Sequence, residues 1–236
     1  MLHQQIEALK PWYQTLDFGD GVTTPGRWDA TAQAQAINSW IDGGVSGKSL
    51  TDIGSNAGGV GFAMAKMGAS KVHLVENSPL FHKQAELYIN AVQPSGVEAH
   101  NMSGFKVHTL QQTKIYLWLG LIYHFRHPQL FLDYAASCGG KTHVISTQLM
   151  HEGKMSMRNR KAAFRDHKSP TMGWEPTTDM FAAMLETAGY TIVQMHATKW
   201  NEGWTNDCYA VCTPPEESQI DQAAVSCVLD APGNWF

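Results

Sequence analysis

Charge and cysteine are both scarce in this chain. Charged residues make up 16% of its 236 residues, and the formal net charge is −4. A surface so sparsely and slightly negatively charged does not advertise nucleic acid as its partner. The four cysteines are Cys138, Cys208, Cys212 and Cys227. They form no CxxC pair, so neither a disulfide framework nor a four-ligand zinc site is expected. Cys208 and Cys212 stand four apart in CYAVC, the spacing of two small residues on one face of a strand. No uninterrupted apolar run is long enough to span a bilayer. The opening MLHQQIEALK has no basic-then-apolar signal pattern. A cytoplasmic protein with reduced thiols is the expectation. There is no internal repeat and no low-complexity stretch, and a chain of this length can bury a full core unaided.

What the chain does contain is alternation. Strands are expected at 48–53, 71–76, 96–101, 114–120, 141–147, 190–196 and 207–213. Helices are expected at 58–67, 79–92, 128–137 and 177–188, with an earlier one at 30–41. Strands alternating with helices argue for crossover units and a mostly parallel sheet. IYLWLGLIY (115 to 123) is apolar on both parities, as a central strand covered on both faces would be. The link between the last two strands is too short for a parallel crossover, so these two should pair as antiparallel neighbours. Ahead of all this, residues 11 to 29 mix aromatics with Gly-Asp-Gly and Pro-Gly turns, an irregular, hairpin-like leader. The expected organisation is a leader and lid segment at 1–42, a cofactor-binding α/β domain at 43–213 and a weakly patterned tail at 214–236.

The chemistry concentrates in LTDIGSNAGGVGFAMAKMGASKVHLVEN (50 to 77). A strand ends near Asp52, four glycines follow, and the next strand closes on Glu76. In open α/β sheets ligands sit at the carboxyl ends of the strands. Glycines there allow close backbone approach. A helix starting near Gly58 offers unpaired N–H groups to a carboxylate or phosphate. Glu76 is placed to bind two ribose hydroxyls. The dinucleotide spacing G-x-G-x-x-G fails, because Asn56 stands at the second glycine. The looser D-x-G-x-x-x-G of S-adenosylmethionine (SAM) sites is met by Asp52, Gly54 and Gly58.

This stretch resembles the first cofactor motif of class I SAM-dependent methyltransferases. LGLIYHFRHPQLFLDYAA (119 to 136), WYQTLDFGDGVTTPGRWD (12 to 29) and WEPTTDMFAAMLETAGYTIVQM (174 to 195) resemble, more narrowly, the tRNA wobble-uridine methyltransferase and carboxymethyltransferase group and its small-molecule relatives. The resemblance implies a Rossmann-like, seven-stranded, mostly parallel sheet with its last strand antiparallel and helices on both faces. By position it implies that Gly54, Ser55, Asn56 and Gly58 line the methionine part of the donor. Glu76 would hold the ribose, Asn77 would lie beside the adenine, and Leu119 and Gly120 would lie under the sulfonium. Tyr123 and His124 would face the acceptor. The acid that many methyltransferases carry after the third strand is missing, since nothing acidic occurs between Ala99 and Gln112. Met102 and Ser103 stand nearest its place.

A hydroxyl acceptor needs a base, and a histidine with an ordinary pKa near 6.5 suits that role, which makes His124 the candidate with Tyr123 beside it. Tyr13 and Trp174, in segments outside the regular elements, are the candidate walls of a planar or apolar substrate site. The basic run KMSMRNRKAAFRDHK (154 to 168) sets Lys154, Arg158, Arg160, Lys161, Arg165 and Lys168 against one Asp166. It reads as a solvated face or as a holder of an anionic substrate, with Arg158 the residue chosen. The expected function is methyl transfer from SAM, or from its carboxylated relative, to a small-molecule acceptor at oxygen. Two alternatives stand beside it: an RNA-modifying enzyme of the wobble-uridine type, and a non-catalytic SAM-binding subunit.

Overall fold

The structure is a computed structural model that describes residues 2–150, 155–159, 174–198 and 207–217. Most of the basic run and most of the 214–236 tail therefore lie outside the described residues, as do Trp200, Trp204 and Cys227. Seven strands, β1 (Ser49–Ile53), β2 (Lys71–Glu76), β3 (Val97–Asn101), β4 (Ile115–Trp118), β5 (Thr142–Gln148), β8 (Thr191–Thr198) and β9 (Asp207–Thr213), form one sheet in the order β3-β2-β1-β4-β5-β9-β8, and β6 (Met157–Asn159) and β7 (Trp174–Pro176) pair separately. The chain divides into two compact units, residues 1–117 and 118–236. Among the described residues no helix is long and apolar enough to cross a membrane.

The first unit opens with a short helix α1 (Leu2–Ala8), which the sequence pattern did not reveal. Only Ile6 of it is buried, so there is no apolar stripe to read. The leader that follows is hairpin-like as expected: Asp17 and Thr23 form an antiparallel bridge, and the Phe18 N–H donates to the Val22 carbonyl. Helix α2 (Ala30–Trp40) starts where Asp29 accepts from the Thr31 and Ala32 N–H groups, an N-cap that satisfies two otherwise orphaned donors. Then come β1 (Ser49–Ile53), α3 (Gly59–Lys66), β2 (Lys71–Glu76), α4 (Pro79–Val92) and β3 (Val97–Asn101). Strands β1, β2 and β3 are parallel, with Asp52 opposite Leu74 and Glu76 opposite Asn101. A 3₁₀ turn (Gly104–Thr109) leads to β4 (Ile115–Trp118). All four residues of β4 are buried, as its unbroken apolarity requires of the middle strand.

The apolar run had placed the end of β4 at residue 120. The strand instead stops at Trp118, because Gly120 takes φ 66 and turns the chain into a 3₁₀ turn (Ile122–His124). The second unit continues with α5 (Pro128–Ser137) and β5 (Thr142–Gln148). Strands β6 (Met157–Asn159) and β7 (Trp174–Pro176) form a small antiparallel pair that no sequence signal marked. Helix α6 (Thr178–Thr187), capped by the Thr177 hydroxyl, precedes β8 (Thr191–Thr198) and β9 (Asp207–Thr213). Strand β9 is antiparallel to both β5 and β8, as the short link demanded. Cys208 and Cys212 are buried on β9, and burial pushes their thiols up to about 11 and about 12.

Candidate functional site

The glycine loop leaves β1 as a continuation of the sheet. The N–H groups of Gly54 and Ser55 both donate to the Val75 carbonyl, at 2.8 and 3.2 Å. The loop then closes on Glu76. Its Oε2 accepts from the Asn56 N–H at 2.9 Å, and its Oε1 accepts from the Ser78 N–H at 2.8 Å. Burial raises the Glu76 carboxyl above its usual range, and these backbone donors pull it back down. The Asn77 N–H lowers the carboxyl too, and three donors on about four lone-pair sites leave the carboxylate acceptor capacity. Met102 joins the same corner, since its N–H donates to the Glu76 carbonyl at 3.1 Å. The exposed Asn77 follows directly after β2.

The glycines do something other than the spacing suggested. Gly58 is the left-handed N-cap of α3 at φ 86, and a Cβ there would lie 2.7 Å from Leu74 Cδ1 and 2.9 Å from Phe62 Cε2. A Cβ on Gly61 would stand 2.3 Å from Leu74 Cδ2, and one on Gly59 would stand 2.6 Å from the Ala30 methyl. At these three positions the absent side chain makes room for protein, letting α3 approach β2 and α2. Nor is the N-terminus of α3 an open set of donors, as the sequence had suggested. The Gly58 N–H donates to the Ser55 carbonyl, and the Gly59 N–H donates to the Gln14 side chain at 2.8 Å. The Gly61 N–H lowers the pKa of Asp52, which burial has pushed up to about 7 with help from the Glu76 charge. Asp52 is 2% exposed and thus lies beneath the loop. Two polar atoms of this corner, Asp52 Oδ2 and Ser55 Oγ, are buried without a hydrogen-bond partner.

Gln14 is the residue that sequence reasoning missed. It reaches from the leader to the loop across more than forty positions. It accepts from Gly59 through Oε1 and makes a long 3.5 Å contact from Nε2 to the Ser55 carbonyl. A second glutamine, Gln84 on α4, donates to the carbonyls of Leu9 and Pro11 at 2.7 and 2.9 Å. No local motif announces either one, because each acts at long range. Tyr13, the leader's candidate substrate wall, is 41% exposed and stacks on Trp28.

The second unit has its own cluster. Leu119 and Gly120 follow β4 half-buried. The Gly120 N–H donates to Ser146 Oγ at 2.9 Å, and a Cβ on Gly120 would meet the Tyr123 hydroxyl at 2.8 Å. Tyr123 and His124, both half-buried, have ring centroids 4.5 Å apart. The Trp174 indole N–H donates to the Arg126 carbonyl at 3.2 Å. The backbone of Arg158 pairs with Glu175 between β6 and β7. His143 shows what a core histidine looks like in this protein. It is fully buried, contacts the Tyr190 hydroxyl at 2.9 Å and the Gly139 carbonyl at 2.6 Å, and burial pushes it down to about 4.

No family model matches the chain, and no curated protein matches it. Solved structures do. The chain is similar to the N-terminal domain of EvdMO1 with S-adenosylhomocysteine (SAH) bound, at a TM-score of 0.65 and 17% identity, over 91% of this chain and 95% of that one. It spans 47% of the longer EvdMO1 structure. It is also similar to the Burkholderia thailandensis 1,6-didemethyltoxoflavin-N1-methyltransferase with its substrate and SAH, at a TM-score of 0.60 and 15% identity, over 79% of each chain. A third is magnesium protoporphyrin IX methyltransferase from Synechocystis PCC 6803 with SAH, at a TM-score of 0.58 and 14% identity, over 77% of this chain and 82% of that one. The chain therefore has the Rossmann-like, seven-stranded fold of these solved structures, two of which are named methyltransferases.

Proposed function

We propose that the chain binds S-adenosyl-L-methionine and transfers its methyl group to a small-molecule acceptor, at oxygen. The observation that carries this reading is Glu76. Its carboxylate closes β2 beside the glycine loop, held by backbone N–H groups from the loop and from the turn after β2, and still able to accept. That is the fit a ribose diol requires. The buried, unpartnered Ser55 hydroxyl beside it is a second group with bonding capacity unused. Asn77 and Met102 flank Glu76 as candidates for the adenine end, with Gly54, Ser55 and Asn56 for the methionine end. The carboxylated relative of SAM meets the same requirements. When bound, the sulfonium supplies an already activated methyl group, so the protein's part is orientation and the handling of the acceptor's proton.

His124 is the candidate base for that proton, with Tyr123 packed against its ring. Half-buried and lying in a turn, it is placed unlike the enclosed His143. Tyr13 and Trp174 are the candidate substrate walls, and Arg158 the candidate anion contact. A small acceptor is favoured by what the neighbouring structures are named for, a toxoflavin precursor and a magnesium porphyrin. An RNA acceptor rests on the narrower resemblance and on the basic run alone. Calorimetry with SAM and SAH tests the reading. Glu76→Ala should weaken both by about 1.5–3 kcal/mol, the scale of hydrogen bonds to a charged group. Unchanged affinity, or no binding by the wild type, would overturn it.

A further inference from the structure

Away from the glycine loop, the two outermost strands of the first unit bring three metal-ligand side chains together. His73 on β2 stands opposite Glu98 on β3, and His100 follows two residues later on the same strand face. One donor atom from each lies within 4.8 Å of the others. His73 Nδ1 is 2.9 Å from His100 Nε2 and 3.5 Å from Glu98 Oε2, and His100 Nε2 is 4.0 Å from the same oxygen. Around a tetrahedral zinc-type ion with bonds of about 2.0–2.2 Å, donor atoms stand about 3.3–3.6 Å apart. The three separations bracket that value. We propose that His73, Glu98 and His100 form a binding site for one divalent transition-metal ion of the zinc type, which ties the edge strand β3 to β2.

The site is distinct from the cofactor corner by strand face. Val72 and Leu74 of β2 lie under Gly61 of α3. Alternation then turns His73 to the opposite face. The donors grade from buried to open: the His73 side chain is 5% exposed, His100 24% and Glu98 51%. An ion can thus enter from solvent and keep water as its fourth ligand. Two imidazoles and one carboxylate suit zinc or cobalt rather than magnesium or calcium, which prefer oxygen donors. The two oxygens of Glu98 are divided, Oε1 paired with the Lys71 ammonium and Oε2 turned to the imidazoles. Lys71 therefore competes with the ion for Glu98. His73 Nε2 is buried without a partner. No outer acceptor strengthens that ligand, which keeps affinity below that of a fully supported site.

The test uses the full, untagged chain, stripped with a chelator and titrated with Co²⁺ alone. One equivalent should bind, with the visible absorption of a four-coordinate cobalt site, and Zn²⁺ should displace it. Losing an outer-shell partner costs about 10–100-fold in affinity, and losing a direct ligand should cost at least that much. His100→Ala and Glu98→Gln should each show this loss, whereas Lys71→Met should bind more tightly. Zn²⁺ should raise the melting temperature of the wild type and not of His100→Ala. Absence of saturable one-to-one binding would overturn the proposal. So would wild-type binding by both ligand variants, which would assign the ion to other residues. Glu98 is exposed, so Glu98→Gln carries the test alone should His100→Ala lower the metal-free melting temperature.

Discussion

The loops that leave β1 and β4 both carry glycine, and they are built on different principles. The loop after β1 is held from within. Val75, Glu76 and Gln14 take up its N–H groups, and Gly58, Gly59 and Gly61 leave their missing side chains to protein neighbours. The turn after β4 is anchored at Gly120 by the Ser146 hydroxyl and then presents Tyr123 and His124 half-buried. The first arrangement fixes backbone; the second offers side chains. A seat for a cofactor needs its geometry settled before the ligand arrives. A group that moves a proton needs instead to be reachable by its substrate.

The difference between the two turns is largest at His124. His124→Ala should lower turnover by about a hundred- to ten-thousand-fold, the usual cost of losing a general base, with SAM affinity nearly intact. Full activity in His124→Asn would mean the side chain only orients the acceptor.

Asp52 tests how buried the loop's foundation is. Its folded pKa, about 7, lies above the ordinary 3.8. A raised acid binds its proton more tightly in the folded state. Stability is therefore greatest below pH 3.8 as far as this group is concerned, and is lost as pH rises towards 7. The slope for one proton is at most about 1.4 kcal/mol per pH unit. Asp52→Asn should flatten urea-unfolding stability across that window. A residual slope should remain, because burial raises Glu76 in the same direction.

Gly61→Val should destabilise by about 1–3 kcal/mol, the range for overpacking a core, since Leu74 Cδ2 already occupies the space. If the variant keeps wild-type stability but loses SAM, Gly61 faces ligand and not protein. Gln14→Ala is the finest probe. It leaves the buried Gly59 N–H without its partner, at a cost of about 1–3 kcal/mol. Part of that should appear as weaker SAH binding, because the leader no longer steadies the loop. Identical SAH affinity would make Gln14 a brace of the leader only.

Much of the alternating core was readable because it rests on short-range pattern. The limits of α4 and β2, 79–92 and 71–76, follow from apolar periodicity and a proline at the first helical turn. The antiparallel pairing of β8 with β9 followed from link length. What was not readable depends on distance or on one dihedral angle. The apolarity of 115–123 continues through the turn at Gly120, since the strand and the 3₁₀ turn both bury residues there. The glycine motif marked the loop after β1, yet its spacing could not say which way each missing side chain points. Gln14 and Gln84 carry no local signature, and the His73–Glu98–His100 group exists only through the register of β2 on β3.

Strand β9 lies between β5 and β8, although it is the last of the three to be made. During synthesis β5 emerges with an unpaired edge, and β8 follows with no neighbour to join. Neither can be completed until residues 207–213 have left the ribosome. The sheet is thus sealed from its interior outwards by its final strand. Until then an apolar edge stays open to wrong partners, which is the interval in which a nascent chain most needs shielding.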